Sequence, residues 1–166
     1  MALKTDIRGM IWRYPDSFVV GREQLRGFAT SIKCDHPAYF HEDAAAKLGY
    51  DNIVAPLTFA SILAKLVQTD FFRNVDVGME TMQIVQVDQR FLFYRPILAD
   101  DVLWARMEIH SVDERFGADI VVTKNICTND DGEVVLESYT TLMGQQGDGS
   151  AKLKWDKESG QVVRTA

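Results

Sequence analysis

Residues 56–72 read PLTFASILAKLVQTDFF, and this stretch carries the main evidence for the fold. Pro56 suits the first turn of a helix, because its fixed φ matches helical geometry and its missing N–H would have no partner there. The apolar residues of the stretch cover more than one narrow face of a helix; they are Leu57, Phe59, Ala60, Ile62, Leu63, Leu66, Val67, Phe71 and Phe72. A helix that is apolar over so much of its circumference is expected to be buried against a sheet.

The sequence that follows this helix predicts the sheet. Residues 84–94 alternate, which would place Val85, Val87, Gln89, Phe91 and Phe93 on one face. Residues 103–110 alternate in the same way, so that His110 falls on the polar side and is expected to face solvent. Two more strands are predicted at 120–128 and 134–143, because the polar run 129–132 between them is a strong hairpin signal.

The sequence before the central helix predicts shorter helices. Residues 23–33 carry Leu25, Phe28, Ala29 and Ile32 at helical spacing. Pro37 ends that helix, since the residue before a proline is pushed out of the helical region. Residues 42–48 predict a second helix that stops at Gly49. Helices first, then antiparallel strands, with one buried helix between them, indicate an α+β fold.

Composition limits the classes of function. The chain has 166 residues, which favours one domain, and we predict that this domain spans 1–144 with a polar tail at 145–166. The net charge of -6 without a basic stripe makes nucleic acid an unsuitable partner. The longest apolar stretch, 52–64, is too short to span a membrane. Cys34 and Cys127 form no CxxC pair, and we expect two buried free thiols in a reducing cytoplasm.

Three motifs together carry a resemblance to a known family. They are CDHPAY at 34–39, IVAPLTF at 53–59 and QRFLFYRPILADDVL at 89–103. These segments resemble the MaoC-type hydratase/dehydratase branch of the hot-dog superfamily, and the likeness covers residues 15–145. The resemblance implies a single hot-dog fold, in which a curved antiparallel sheet wraps the central helix.

A closer similarity is to the heterodimeric (3R)-hydroxyacyl-ACP dehydratases used in mycolic acid elongation. That resemblance implies a cytoplasmic subunit of a type II fatty acid system, paired with a catalytic sister hot-dog subunit. The substrate would be a long-chain 3-hydroxyacyl thioester on acyl carrier protein, and the product a trans-2-enoyl thioester. Because the carrier is part of the substrate, no bound cofactor is implied, and no metal-ligand spacing is present.

The acid-base pair of the family is not in place. The family's hydratases use an Asp and a His within an Asp-x-Asn-Pro-x-His run. Alignment on Pro37 puts Cys34 at the Asp position and Tyr39 at the His position. A thiol and a phenol have unperturbed pKa values of about 8.5 and 10, too high for a base at neutral pH. We therefore expect no catalytic residue in this chain, and a shifted pair, Asp35 and His41, is the alternative.

The resemblance also suggests where an acyl chain would run. Candidate channel residues are Tyr39, Pro56, Thr58, Phe59, Leu63 and Phe91. The same residue types also build ordinary cores, and both interpretations stay open here. The helix start at 55–58 could offer free N–H groups to a carbonyl oxygen, although Leu57 stands where a catalytic member often has glycine. Arg95-Pro96 and Asp101 match the family's turn, whereas Asp100 replaces a glycine and must tolerate left-handed geometry.

Three functions follow as hypotheses. The first is the acyl-channel subunit of a heterodimeric dehydratase, inactive by itself. The second is a self-sufficient homodimeric enoyl-thioester hydratase that uses Asp35 and His41. The third is a non-enzymatic module that binds acyl thioesters.

Overall fold

A computed structural model of the chain describes residues 6–77, 82–146, 152–156 and 161–165. The first half contributes two short strands and three helices: β1 (Ile11–Arg13), β2 (Phe18–Val19), α1 (Arg22–Ser31), α2 (Glu42–Ala46) and α3 (Ala60–Asn74). The second half is made of strands: β3 (Met82–Phe93), β4 (Val102–Arg115), β5 (Ala118–Thr128), β6 (Val134–Gln146), β7 (Lys152–Asp156) and β8 (Gln161–Thr165). Single 3-10 turns at Pro37–Tyr39 and Leu57–Phe59 precede α2 and α3.

The main sheet is antiparallel throughout. Its strand order is β1-β4-β5-β6-β3, and β2 also pairs with β4. Among the described strands β3 pairs only with β6 and therefore forms one edge of the sheet. Strands β7 and β8 pair with each other in a separate hairpin within the predicted tail. This arrangement, with one long helix against an antiparallel sheet, confirms the predicted α+β class.

Helix α3 buries one face in the core, and that face explains why the helix forms. Ala60, Leu63, Ala64, Val67 and Phe71 are buried along it. The predicted helix begins later and is less enclosed than its composition predicted: α3 starts at Ala60, Leu57 in the preceding 3-10 turn is 67% exposed, and Ile62 on α3 is 37% exposed. No helix in the described part of the chain is long and apolar enough to cross a membrane.

The strand patterns are confirmed on β4 and partly wrong on β3. Leu103, Ala105, Met107 and Ile109 are buried, and His110 on the opposite face is exposed as predicted. On β3 a β-bulge between Gln86 and Asp88 shifts the register. A bulge inserts one residue into a strand, so residues before it change face relative to strict alternation. Val85 therefore lies on the face opposite to Gln89, Phe91 and Phe93.

The predicted short elements need small corrections. Helix α1 ends at Ser31, so Ile32 lies beyond it and is 43% exposed. Helix α2 is shorter than predicted, because regular helix stops at Ala46 before Gly49 takes a positive φ. Of the two free cysteines, Cys127 is buried but Cys34 is only half-buried.

Candidate functional site

A cavity of about 300 Å³ lies where the three family-like motifs meet. Motif 34–39 contributes Tyr39 to it, motif 53–59 contributes the segment from Val54 to Leu57, and motif 89–103 contributes Phe93 to Ile97. Tyr50 completes the lining. We call this space the motif cavity.

The loop that carries Tyr39 is fixed from both sides. The guanidinium of Arg26, on α1, donates to the carbonyl oxygen of Phe40 through two nitrogens at 3.1 and 3.0 Å. The Nδ1 atom of His36 accepts a hydrogen bond from the backbone N–H of Ala38 at 3.3 Å. The backbone N–H of Val54 donates to the carbonyl of Ala38 at 3.0 Å, which joins this loop to the next motif.

The helix start faces the same space. The backbone N–H of Ala55 donates to the carbonyl of Ile97 at 2.8 Å, and Pro56 has no N–H to give. Within the described residues the N–H groups of Leu57 and Thr58 have no hydrogen-bond partner, as expected for the first residues of a helical turn. Leu57 also lines the motif cavity.

An ion pair holds the floor of the cavity. The Arg95 guanidinium donates to both carboxylate oxygens of Asp101, at 2.7 and 3.0 Å. The Asp101 carboxylate also accepts from the backbone N–H of Leu98 at 2.8 Å. A bidentate pair fixes direction as well as distance, so Pro96 and Ile97 are presented to the cavity in one orientation.

Asp100 adopts the left-handed geometry predicted for it. Its φ is 69°, a conformation that normally favours glycine. Its carboxylate accepts hydrogen bonds from Asn52 at 2.9 Å and from Arg22 at 3.4 Å. Arg22 also donates to Glu42, and this hydrogen bond raises the pKa of Arg22 above its usual value. The aspartate thus links the turn to α1 and α2.

The positions that align with the family's acid and base hold no such pair. Tyr39 is half-buried and lines the motif cavity, whereas Cys34 is half-buried but does not line it. Asp35 and His41, the alternative pair, are both exposed and lie outside the cavity lining. The described lining of the cavity contains tyrosines and one arginine but no carboxylate or imidazole.

The predicted channel residues divide into three groups. Tyr39 and Pro56 line the motif cavity. Phe59 and Leu63 lie in the core at 2% and 3% exposure, and Phe91 packs against that core. Thr58 is exposed to solvent.

Several lining residues were missed by sequence reasoning. Tyr50, Phe93 and Tyr94 line the cavity, and Tyr94 is 63% exposed. Tyr50 lies beside Gly49 at a helix end and carried no local signal of a site. Phe93 and Tyr94 belong to the family-like motif 89–103, as Arg95-Pro96 does, but their position at the end of an alternating strand indicated core residues.

The layer between α3 and the sheet contains polar side chains. Gln68 on α3 donates to the hydroxyl of Thr123 at 3.0 Å, and Thr123, Asn125 and Thr140 are fully buried. Among the described residues the amide of Asn125 has no hydrogen-bond partner. Over the same residues no three His, Cys, Asp or Glu side chains come close enough to hold a metal ion.

Comparison with known proteins identifies a family. A family model described as "FAS1-like, dehydratase domain region" matches residues 9–138. A UPF0336 protein of Mycobacterium tuberculosis is 81% identical over 166 residues, which is all of both chains.

Solved structures agree with that match. A chain of the C-terminally truncated HadBC complex of M. tuberculosis, a (3R)-hydroxyacyl-ACP dehydratase, is 75% identical with a TM-score of 0.81. The alignment covers 86% of this chain and 100% of that one. A MaoC-like dehydratase is 29% identical with a TM-score of 0.80 over 97% of this chain, which spans 52% of that longer protein. These likenesses confirm the predicted MaoC-like hot-dog fold.

Proposed function

The chain belongs to the FAS1-like dehydratase-region family, and on that premise we propose that it is the non-catalytic, acyl-channel subunit of a heterodimeric (3R)-hydroxyacyl-ACP dehydratase. A sister hot-dog subunit carries the acid and the base. The pair forms trans-2-enoyl-ACP in type II fatty acid elongation in the cytoplasm, on the long acyl chains of mycolic acid synthesis.

The observation that carries this proposal is the chemistry of the motif cavity. Elimination of water needs a base for the proton next to the thioester carbonyl and an acid for the leaving hydroxyl. The cavity offers neither an imidazole nor a carboxylate among its described lining residues, and Tyr39 occupies the histidine position of the family motif. Leu57 also stands at the helix start where a catalytic member of the family often has glycine, which disfavours a role of the N–H groups there in holding the enolate oxygen.

The likeness to the HadBC complex supports a two-subunit enzyme. The sheet has the edge that such a partner would need, because within the part of the chain that the structure describes β3 pairs on one side only. Val85 and Val87 on that edge are 50% and 53% exposed. An exposed apolar edge strand is a template for pairing with another chain, and burial in a dimer removes it from water.

The chain contributes a fixed wall to the shared site. Arg26 and the Arg95–Asp101 pair hold the loops around the motif cavity, and its apolar residues exclude water. A wall of this kind positions an acyl chain without touching the reacting atoms.

The experiment that tests the proposal compares this chain alone with its complex. The chain alone, given crotonyl-CoA, should show no hydration above background. Addition of the sister subunit should produce dehydratase activity on (3R)-hydroxyacyl thioesters. Replacement of the Asp and the His in the sister's own motif should then abolish turnover.

The two other hypotheses predict different outcomes. Hydration of crotonyl-CoA by the chain alone would establish the self-sufficient hydratase. Failure of the sister subunit to produce any activity, with acyl thioester still bound, would establish the non-enzymatic module.

A further inference from the structure

A second and larger cavity, of about 570 Å³, opens on the face of the sheet opposite to α3. We call it the outer pocket. Strand alternation places it there: Ala105 and Met107 face the core, so Trp104 and Arg106 point away from it. Its volume falls in the range of about 300–1,000 Å³ that is typical of small-molecule sites.

The floor of the outer pocket is apolar. Ile126 is only 7% exposed although it lies on the outer face, since it is the cross-strand neighbour of Arg106. Val134 adds an apolar wall at the start of β6. A purely ionic ligand would gain no binding free energy from this apolar floor, whereas a flat ring would bury it and remove it from water.

Two arginines stand side by side at the pocket. Arg13 on β1 lies directly opposite Arg106 on β4 in the antiparallel register, and both side chains line the pocket. Like charges directly opposite each other in a sheet repel, and a bound anion relieves that repulsion. Two guanidinium groups together match a phosphate, which offers oxygens to both forks.

Of the two arginines, Arg106 pairs with a nearby carboxylate, and Arg13 does not within the described residues. Glu108 pairs with Arg106 at 3.2 Å, and Asp130 accepts the indole N–H of Trp104 at 2.8 Å. Within the described residues the side chain of Arg13 makes no hydrogen bond and no ion pair, and the residue is exposed. The pocket therefore keeps a net positive side at β1.

An aromatic wall faces this positive side. The ring of Trp104 is 42% exposed, and its hydrogen bond to Asp130 fixes its orientation. Tyr14, the residue after β1, also borders the pocket, but its ring packs against the core and its backbone N–H donates to the carbonyl of Ala105 at 3.0 Å. Aromatic and guanidinium planes both stack on flat rings.

From the paired arginines, the fixed indole and the apolar floor we propose that the outer pocket binds a planar base that carries a phosphate, which is the nucleotide class of ligand. The phosphate lies between Arg13 and Arg106, and the base covers Ile126 beside Trp104. This site is separate from the motif cavity and does not depend on the proposed dehydratase function.

Isothermal titration of the full-length chain, with its sister subunit where this keeps it in solution, tests the proposal. AMP should bind, while adenosine, ribose 5-phosphate and inorganic phosphate should each bind at least about tenfold more weakly, because each lacks one of the two contacts. Arg13→Gln and Trp104→Leu should each weaken AMP by about tenfold or more. Arg8→Gln is the matched control, since Arg8 pairs with Asp6 and does not line the pocket.

Three results would overturn the proposal. One is no AMP binding at millimolar concentration. Another is AMP affinity that Arg13→Gln leaves unchanged while the variant keeps the melting temperature of the parent. The third is inorganic phosphate binding as tightly as AMP, which would reduce the pocket to a simple anion site. Dehydratase turnover of the Arg13→Gln complex should stay at the parent level, which separates this test from that of the proposed function.

Discussion

Single residues of the motif cavity decide what this chain can do chemically. Alignment on one proline predicted the loss of the acid-base pair, and Tyr39 does line the cavity. That position was predictable because it lies within a short motif whose spacing fixes its place. Tyr50 and Tyr94 line the same cavity through contacts between distant segments, which no local pattern records.

Asp35 and His41 should matter little for turnover. Both are exposed and neither lines the motif cavity. In the complex with the sister subunit, Asp35→Asn and His41→Ala should each lower kcat by less than about tenfold, whereas loss of a general acid or base costs about 100-fold or more. Steady-state assays on short and long acyl thioesters measure this. If His41→Ala removes activity on every chain length while the complex stays assembled, the catalytic site lies in this chain.

The two cysteines should differ sharply in reactivity. Burial raises the pKa of Cys127 to about 12, so its reactive thiolate is absent at neutral pH. Iodoacetamide at pH 7.5 should label Cys34 in the folded protein and reach Cys127 only after unfolding, as mass spectrometry of peptides would show. A Cys34→Ser variant is the control, and it should remain unlabelled when folded. Rapid modification of Cys127 in that folded variant would contradict the burial.

Because the pKa of Cys127 is raised in the folded protein, the free energy of unfolding should fall as the pH becomes strongly alkaline. Because burial raises the pKa of the Cys127 thiol in the folded protein above its value in the unfolded chain, the folded state keeps the proton more firmly. The contribution of the protonated Cys127 thiol to the free energy of unfolding is complete below about pH 9 and is lost as the pH rises from about 9 toward 12.

At the level of elements, α3 shows how far periodicity predicts packing. The helix, its position and its buried role were predictable, because apolar residues at helical spacing need a partner surface. Which residues face outward was not, since Ile62 and Leu63 have the same apolar character and differ only in direction. Strand β3 gives the complementary case, because no sequence signal marked the bulge that reverses Val85.

Substitutions at two neighbouring positions of α3 should distinguish its buried face from its exposed face by their effect on stability. Leu63 is 3% exposed and Ile62 is 37% exposed. Leu63→Ala should lower the free energy of unfolding by about 2–4 kcal/mol, because it leaves a cavity in the core. Ile62→Ala is the control and should cost less than about 1 kcal/mol. Urea denaturation of the complex measures both, and equal losses would mean that Ile62 is buried by the partner subunit.

Leu63 was predicted from the sequence to lie along an acyl channel, and its burial changes the expected effect of enlarging it. A tryptophan there would overpack the core, at a cost of about 1–3 kcal/mol or more. Tyr39 and Phe93, which line the motif cavity, are better positions at which to test chain-length selection.

For the whole molecule, the exposed edge of β3 determines assembly. Val85→Lys and Val87→Lys each place a charge on that edge, and charged side chains on an edge strand oppose pairing with another chain. Each variant should co-purify with the sister subunit in less than about a tenth of the parent yield, a change of roughly 1.4 kcal/mol or more in association.

Val19→Lys is the matched control for this edge. Val19 on β2 is 57% exposed, but β2 pairs with β4 and lies near the edge of the sheet opposite to β3. Its substitution should leave the complex intact in size-exclusion chromatography with light scattering. A parent chain that runs as a long-lived monomer at micromolar concentration beside its sister subunit would contradict the whole scheme.

The turn at Asp100 restricts which substitutions homologues can accept at the positions that contact it. Reversion to glycine would ease the backbone, but it would also strip Arg22 and Asn52 of a shared acceptor. Replacement of either donor alone would leave an aspartate in a costly conformation with less to compensate it. Positions 22, 52 and 100 should therefore covary among homologues, with glycine at 100 accompanying the loss of both donors.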